Sequence, residues 1–287
     1  MIWRAAGIVC FLALALGLTH HIEREGVGPR AEVHFLYLPS SEYLEITSLG
    51  HTMLLADVLY LWSIQYYGDY TGRWMKRFDY LWHIYDVITD LDSTFTDAYY
   101  MGSLVMSLDA EDRDMAVRLL EKGIAHNPKE WMFLFEAAFL RYEEARYEEA
   151  AYYFGRAMAV QGSSPAVKRL HASMLAKAGR YEEAVRVWEQ VCLESDDRWI
   201  RNIAGRHIFE IRVKIDKLRL EKAREEYRAL RGRRPHSLAA LVRAGFLPSL
   251  LLDPYGEPYL YDPRTGDVSC SSQYRFMTPP PPCSPLP

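Results

Sequence analysis

The stretch that decides the fold is Ala145-Arg146-Tyr147-Glu148-Glu149-Ala150, which returns 34 residues later as Gly179-Arg180-Tyr181-Glu182-Glu183-Ala184. A small residue or Gly suits the end of a helix, because Gly tolerates the left-handed backbone conformation that often follows a helix C-terminus. The two glutamates suit the start of the next helix, where negative charge complements the helix dipole. Each copy therefore predicts a turn between two helices.

The same period extends along the chain on both sides of this stretch. Three alanines, Ala116, Ala150 and Ala184, stand 34 residues apart. After each of the last two, a large aromatic residue follows at four positions and an apolar residue three further on, which keeps all of them on one helical face; these residues are Phe154 with Ala157, and Trp188 with Val191. A single Tyr-Glu-Glu-Ala could be only a good helix start, but two copies in phase indicate a repeated unit, and 34 residues is the period of the tetratricopeptide helix-turn-helix.

Two further segments add a proline twelve residues after the alanine, where it should end the second helix. They are Ala116, Leu120, Gly123 and Pro128, and Ala223, Tyr227, Leu230 and Pro235. These residues resemble the tetratricopeptide repeat family, whose pattern ends each repeat with such a proline. The resemblance implies an all-α fold, a right-handed α-solenoid of antiparallel helix pairs, over residues 43–235 in about four to five repeats.

The chain departs from the family pattern in several places. Gly162 and Asp196 stand where proline is expected, and Ala184 to Ala223 is 39 residues rather than 34. We therefore expect the fourth repeat to carry a longer first helix or loop. An upstream unit keeps the register only approximately, through Leu81, Tyr85, Ile88 and the run Leu91-Asp92-Ser93.

The N-terminus predicts export. Arg4 precedes an apolar run at 5–18, and polar residues follow. About fourteen apolar residues suit a secretory signal better than a full membrane span, which needs about twenty. We interpret 1–21 as a signal anchor or signal peptide and prefer the uncleaved anchor, since no small-x-small site follows the run. A buried first helix is the alternative. The anchor implies a single pass through a bacterial-type inner membrane, with the solenoid outside the cytoplasm, in the periplasm.

A turn-rich linker at 22–42 leads into two aromatic-rich segments, 52–67 and 80–91. Apolar residues occupy more than one face of each predicted helix, so the helices should be buried on both sides or present a surface. We favour burial. Otherwise the aromatic residues would form an exposed patch of the kind that marks partner sites; they are Trp62, Tyr66, Tyr67, Trp74 and Trp82.

The pattern changes after Pro235. Residues 237–244 predict a short helix that could cap the solenoid within a C-terminal region at 236–272. Asp262-Pro263-Arg264-Thr265-Gly266 predicts a hairpin turn between short apolar runs. The preceding Asp253-Pro254-Tyr255-Gly256-Glu257-Pro258-Tyr259 is similar to the C-terminal part of the major pseudopilins of type II secretion, although a surface hairpin explains it equally well. The proline-rich tail at 273–287 is predicted to be disordered.

No common catalytic signature is present in the sequence, so we expect a scaffold that is not an enzyme and that uses no cofactor and no metal. The net charge of −4 implies no general attraction to nucleic acid. Cys270 and Cys283 could bridge in an oxidising compartment. The basic run Arg228, Arg231, Arg233 and Arg234 complements a helix C-terminus, with phosphate or acidic-lipid binding as the alternative.

The resemblance also implies a binding groove, because the first helix of each tetratricopeptide repeat lines the concave face. It places six side chains there for a protein partner, an extended or helical segment, although half of them could be interhelix core; they are Tyr99, Tyr100, Phe135, Phe139, Tyr142 and Arg169. We expect a membrane-anchored, exported scaffold of the cell envelope. A structural or assembly subunit of a secretion or type IV pilus-like machine is one alternative. An enzyme or metal-binding protein with an unrecognised site is another.

Overall fold

A computed structural model describes residues 38–68 and 77–275, which fold into eleven helices and one two-stranded sheet. The chain divides into two compact units, Met1–Asp92 and Ser93–Pro287. The elements in chain order are α1 (Ser41–Thr47), α2 (Thr52–Gly68), α3 (Arg77–Leu91), α4 (Thr96–Leu108), α5 (Arg113–His126), α6 (Trp131–Glu143), α7 (Tyr147–Ala159), α8 (Pro165–Lys177), α9 (Tyr181–Glu194), α10 (Arg198–Arg231), α11 (Leu238–Arg243), β1 (Leu260–Tyr261) and β2 (Val268–Ser269).

In the first unit, α1 and α2 both pack on α3. The buried face of α3 carries Leu81, Tyr85 and Ile88, which are the residues of the upstream unit in the sequence. The rings of Trp62 and Tyr66 lie 6.4 Å and 5.5 Å from the ring of Tyr80, so this part of the aromatic-rich region packs together as predicted. Trp74 lies outside the described residues.

The prediction that α2 would be buried on both sides is wrong for the part of the unit that the structure describes. Ala56, Leu59 and Ser63 are buried. The opposite face is exposed and apolar; it carries Met53, Leu54, Val58, Leu61 and Ile64. Helix α2 is apolar on all of its faces, but only one of these faces packs against α3. The sequence pattern alone does not tell which face is covered.

The second unit is built from consecutive helices that pack pairwise, from α4 on α5 through to α9 on α10. The 34-residue period sets their register, since α5, α7 and α9 begin at Arg113, Tyr147 and Tyr181. The phased alanines Ala116, Ala150 and Ala184 have no exposed surface. A methyl side chain at these positions lets neighbouring helices approach closely, as the sequence suggested.

A left-handed residue ends the first helix of each of three pairs. Glu111, Ala145 and Gly179 stand 34 residues apart and have φ of 55°, 57° and 83°. Directly after two of them, the backbone N–H of Arg146 and of Arg180 reaches back to a carbonyl five residues earlier, each at 2.9 Å. These are the hydrogen bonds of a helix C-terminal motif that depends on a left-handed residue. The turn predicted for the repeated stretch is confirmed.

The fourth repeat has no such turn, and its two helices are fused into one. Val213 follows Gly179 by 34 residues and lies inside α10, a continuous helix of 34 residues. A β-branched residue resists the left-handed conformation, so the helix continues where the other repeats turn. The longer first helix expected for the fourth repeat is therefore present, but no turn and second helix follow within α10. Leu230, which the repeat pattern would bury, is 73% exposed.

Ion pairs repeat with the same period across the turns. Arg146 contacts Asp114 at 3.1 Å, and Arg180, 34 residues on, contacts Glu148 at 3.5 Å. Exposed pairs of this kind stabilise little. Arg141 differs because its side chain is buried, and it pairs with Asp114 at 2.6 Å. It thereby ties the end of α6 to the start of α5.

The C-terminal region forms a small core of its own against the second half of α10. The residues that share this core come from α10, α11 and the hairpin; they are Leu220, Ala223, Tyr227, Leu238, Leu241, Leu247 and Tyr259. Strand β1 pairs with β2 antiparallel, with Leu260 opposite Ser269, which confirms the predicted hairpin. Helix α11 lies where the capping helix was predicted. The tail beyond Arg275 lies outside the described residues.

The bridge that Cys270 and Cys283 could form in an oxidising compartment is absent, because Cys270 carries a free thiol. Burial raises the pKa of this thiol. Cys192 is buried in α9.

Two substitutions at the left-handed positions should change the free energy of unfolding in opposite directions. Ala145→Gly should raise the free energy of unfolding by about 0.5–1 kcal/mol, and Gly179→Ala should lower it by a similar amount, because only glycine adopts positive φ freely. A Cβ on Gly179 would meet nothing within 4 Å, so the second change isolates the backbone term. Urea unfolding monitored by circular dichroism measures both.

The exposed helical residue Ala125 provides the control, since Ala125→Gly should destabilise by about 1 kcal/mol. Destabilisation by Ala145→Gly of the same size as the control would contradict the left-handed turn at that position.

Candidate functional site

The six side chains expected to bind a partner divide into core and surface. Tyr99 has no exposed surface, and its ring lies 5.3 Å from that of Phe133. Phe135 is half-buried, with its ring 5.6 Å from that of Phe154 on α7. Both therefore belong mainly to the packing between helices, as the alternative in the sequence analysis allowed.

Tyr100 lies between core and surface. Its ring is 4.7 Å from that of Phe133, which joins the first helices α4 and α6. Its hydroxyl oxygen is buried beside the carboxylate of Glu130. Burial raises the pKa of this hydroxyl, and the nearby carboxylates of Glu130, Glu136 and Asp97 raise it further.

Phe139 and Tyr142 reach the surface of α6, where they are 42% and 37% exposed. Their ring centroids are 6.0 Å apart. The Lys177 ammonium of α8 lies 5.6 Å from the Tyr142 ring and 5.2 Å from the Tyr147 ring, which is the geometry of a cation–π contact. The contact between Lys177 and Tyr142 joins the first helices α6 and α8.

Sequence reasoning missed two exposed leucines on the first helix α4. Leu104 is 51% exposed and Leu108 is 63% exposed. Leu104 and Phe139 are each the ninth residue of a first helix, so their equivalence could have been found by aligning helix starts rather than the phased alanines. We call Leu104, Leu108, Phe139, Tyr142 and Lys177 together the first-helix surface.

The charged groups around this surface differ between helices. Glu136 of α6 is half-buried, and burial raises the pKa of its carboxyl group. Arg169, at the position on α8 that Phe135 holds on α6, is half-buried and forms no ion pair among the described residues. The carboxylates near this surface therefore lie on α4 and α6, and the cationic groups lie on α8.

Comparison with protein-family models and with curated proteins yields no match for this chain. Within residues 38–68 and 77–275, none of the helices combines the length and apolar character that crossing a membrane requires. The apolar run at 5–18, interpreted as an anchor, lies outside the described residues.

The raised pKa of Glu136 predicts a pH-dependent effect of Glu136→Gln. A carboxyl group with a raised pKa in the folded state contributes stability below its unfolded pKa and loses that stability as the pH rises through the folded value. Glutamine cannot ionise, so the variant should unfold at higher urea than the wild type at neutral pH, and the difference should vanish at about pH 4.

The exposed Glu221, in the interior of α10, supplies the control, because Glu221→Gln should change the urea midpoint little at either pH. A Glu136→Gln variant that is less stable than the wild type at neutral pH would show that the carboxylate is well solvated or paired.

Proposed function

We propose that this protein is an exported, membrane-anchored scaffold of the tetratricopeptide type, in which the first-helix surface binds a segment of a protein partner. In this proposal α4 to α9 form three helix pairs of a right-handed solenoid with the first-helix surface on its concave side, and residues 5–18 hold the chain in the membrane. The fused helix α10 ends the repeat array.

The observation that carries the proposal is the exposure of four large apolar side chains on two first helices. The surfaces of soluble proteins rarely present large contiguous apolar patches unless the patch binds a partner or a ligand. Phe139 and Tyr142 offer large, stiff contact areas at low entropic cost, which is typical of residues that dominate binding energy. Repetition on α4 and α6 supplies a surface longer than one helix, so a segment rather than a small molecule fits it.

The charges around the surface suggest the chemistry of the partner segment. Apolar side chains should contact Leu104 and Phe139. A carboxylate near α8 could pair with Arg169 or Lys177, and a bidentate pair with an arginine is a strong form of that contact. The half-buried Glu136 suits a hydrogen-bond donor or a cation on the opposite part of the segment.

The membrane location is supported by the sequence of the N-terminus, where an apolar run at 5–18 follows Arg4. The proposal places the solenoid in the periplasm.

Site-specific photocrosslinking tests the binding surface. The full chain is expressed in the cells that naturally make it, with a photoreactive phenylalanine analogue at position 104 or 139. The analogue should crosslink to one discrete protein. The same analogue at Tyr152 or Leu193, which lie on second helices and are more exposed, should not. Crosslinking of the same protein from all four positions would contradict a surface confined to first helices.

Purified partner then permits a quantitative test. Replacing Phe139 and Tyr142 together by serine should weaken binding by about 2 kcal/mol or more, roughly thirtyfold in Kd, because hot-spot side chains carry most of the binding energy. The double variant should keep the helical circular dichroism of the wild type, since both side chains are partly exposed. Tyr152→Ser with Leu193→Ser is the matched control and should leave Kd unchanged.

A further inference from the structure

The C-terminal part of the second unit contains a long basic segment without acidic residues. Residues 227–252 include five arginines and His236 but no aspartate or glutamate, although the whole chain has a net charge of −4. The five arginines are Arg228, Arg231, Arg233, Arg234 and Arg243. The charge of this segment is therefore locally opposite to that of the protein.

The fold brings these arginines together with another from α10. Arg224, Arg228 and Arg231 follow one face of α10 at spacings of four and three. The side chains of Arg224 and Arg234 both approach Gly266 in the hairpin. Atoms of each lie within 3.6 Å of the point where a Cβ on Gly266 would stand, so the two arginines lie side by side. Both guanidinium groups donate to carbonyls of the hairpin turn, Arg224 to Gly266 and Arg234 to Arg264. The hairpin thus holds two like charges side by side.

The acidic residues that flank this cluster are Glu221, Glu225 and Glu226 of α10 and Asp262 and Asp267 of the hairpin. Arg224 pairs with Glu225 at 2.9 Å. Arg228, Arg231 and Arg233 are exposed and form no ion pair among the residues that the structure describes. Like charges four residues apart on a helix disfavour folding, and the negative end of the helix dipole offsets part of this effect. An anion bound by the cluster would offset the rest.

Exposed leucines belong to the same end of the molecule. They lie on α10, in the chain after α11 and in the hairpin; they are Leu230, Leu250, Leu252 and Leu260. The shared core around Tyr227 and Tyr259 fixes these elements to one another. No aromatic side chain in the described stretch 224–275 is among the exposed large apolar residues. Arginines with leucines suit a lipid surface, whereas single-stranded nucleic acid usually stacks its bases on aromatic rings.

We propose that the arginine cluster, Arg228, Arg231 and Arg233 with Arg224 and Arg234 behind them, binds the phosphate groups of acidic lipid headgroups. Guanidinium groups hold phosphate through paired hydrogen bonds, and the exposed leucines of the same C-terminal elements contact the boundary between headgroups and acyl chains. The inference does not depend on the first-helix surface. It rests on the proposed membrane location only because that location puts the cluster within reach of lipid.

Arginine footprinting with phenylglyoxal on the full chain tests the site. The protein is reconstituted with vesicles of zwitterionic phosphatidylcholine alone, or with vesicles that also contain anionic phosphatidylglycerol, and modification at each arginine is read by mass spectrometry. Anionic vesicles should slow modification of Arg228, Arg231 and Arg233 by about fivefold or more, and high salt should abolish the effect. Arg118 and Arg186, exposed on second helices, are internal controls and should react equally with both vesicles.

Variants and competing anions decide between explanations. Arg231→Ser with Arg233→Ser should remove the protection of Arg228, while Arg118→Ser with Arg186→Ser, which changes the net charge equally, should retain it. Equal modification with both vesicles, or equal protection at the control arginines, would overturn the proposal. So would stronger protection by inorganic phosphate or by an oligonucleotide in zwitterionic vesicles, because the ligand would then be a free anion or a nucleic acid.

A flotation measurement distinguishes failure of the proposed headgroup site from failure of the proposed membrane anchor. Co-flotation of the chain with zwitterionic vesicles reports membrane attachment through residues 5–18. A chain that floats but shows no arginine protection contradicts the headgroup site alone. A chain that does not float with zwitterionic vesicles, yet is protected by anionic ones, contradicts the anchor alone.

Discussion

The left-handed turn at Glu111, Ala145 and Gly179 is the constraint on which the rest of the second unit depends. It ends the first helix of each pair at the same point, so that the second helix starts in the same register and places a buried alanine against its neighbours. Only glycine takes this conformation at no steric cost, and two of the three positions lack it. Packing of the flanking helices therefore holds Glu111 and Ala145 in a conformation that the residues themselves disfavour.

The regular register has a consequence for the surface. Because first helices begin at equivalent points, Leu104 and Phe139 occupy the same position on α4 and α6, and both are exposed. The buried Arg141 adds a specific link at the boundary between pairs through its contact with Asp114. Buried ion pairs are weak evidence for stability, but they disfavour alternative registers in which one charge would lose its partner. The proposed binding surface thus depends on the same contacts that set the repeat.

The sequence allowed the helical turns, the phased core and the C-terminal hairpin to be predicted, because each depends on local residues such as Gly179 and Gly266. It did not show where the repetition stops. Val213 stands 34 residues after Gly179, and its β-branched side chain bears on the fold only because the other repeats turn at that position. Nor did it show that Tyr99 is core while Leu104 is exposed, since apolar residues on two faces of a helix do not reveal which face a neighbour covers.

The most direct test of this account is the length of α10. Two spin labels, introduced as non-canonical amino acids at the exposed positions Arg201 and Arg228, report the distance between the two ends by pulsed electron paramagnetic resonance. A continuous helix rises about 1.5 Å per residue, so the account predicts a single distance of about 40 Å between the labelled backbones. A distance below about 20 Å would mean that the chain folds back near Val213 as a helix pair. That result would contradict the claim that the left-handed residue decides where helix pairs form.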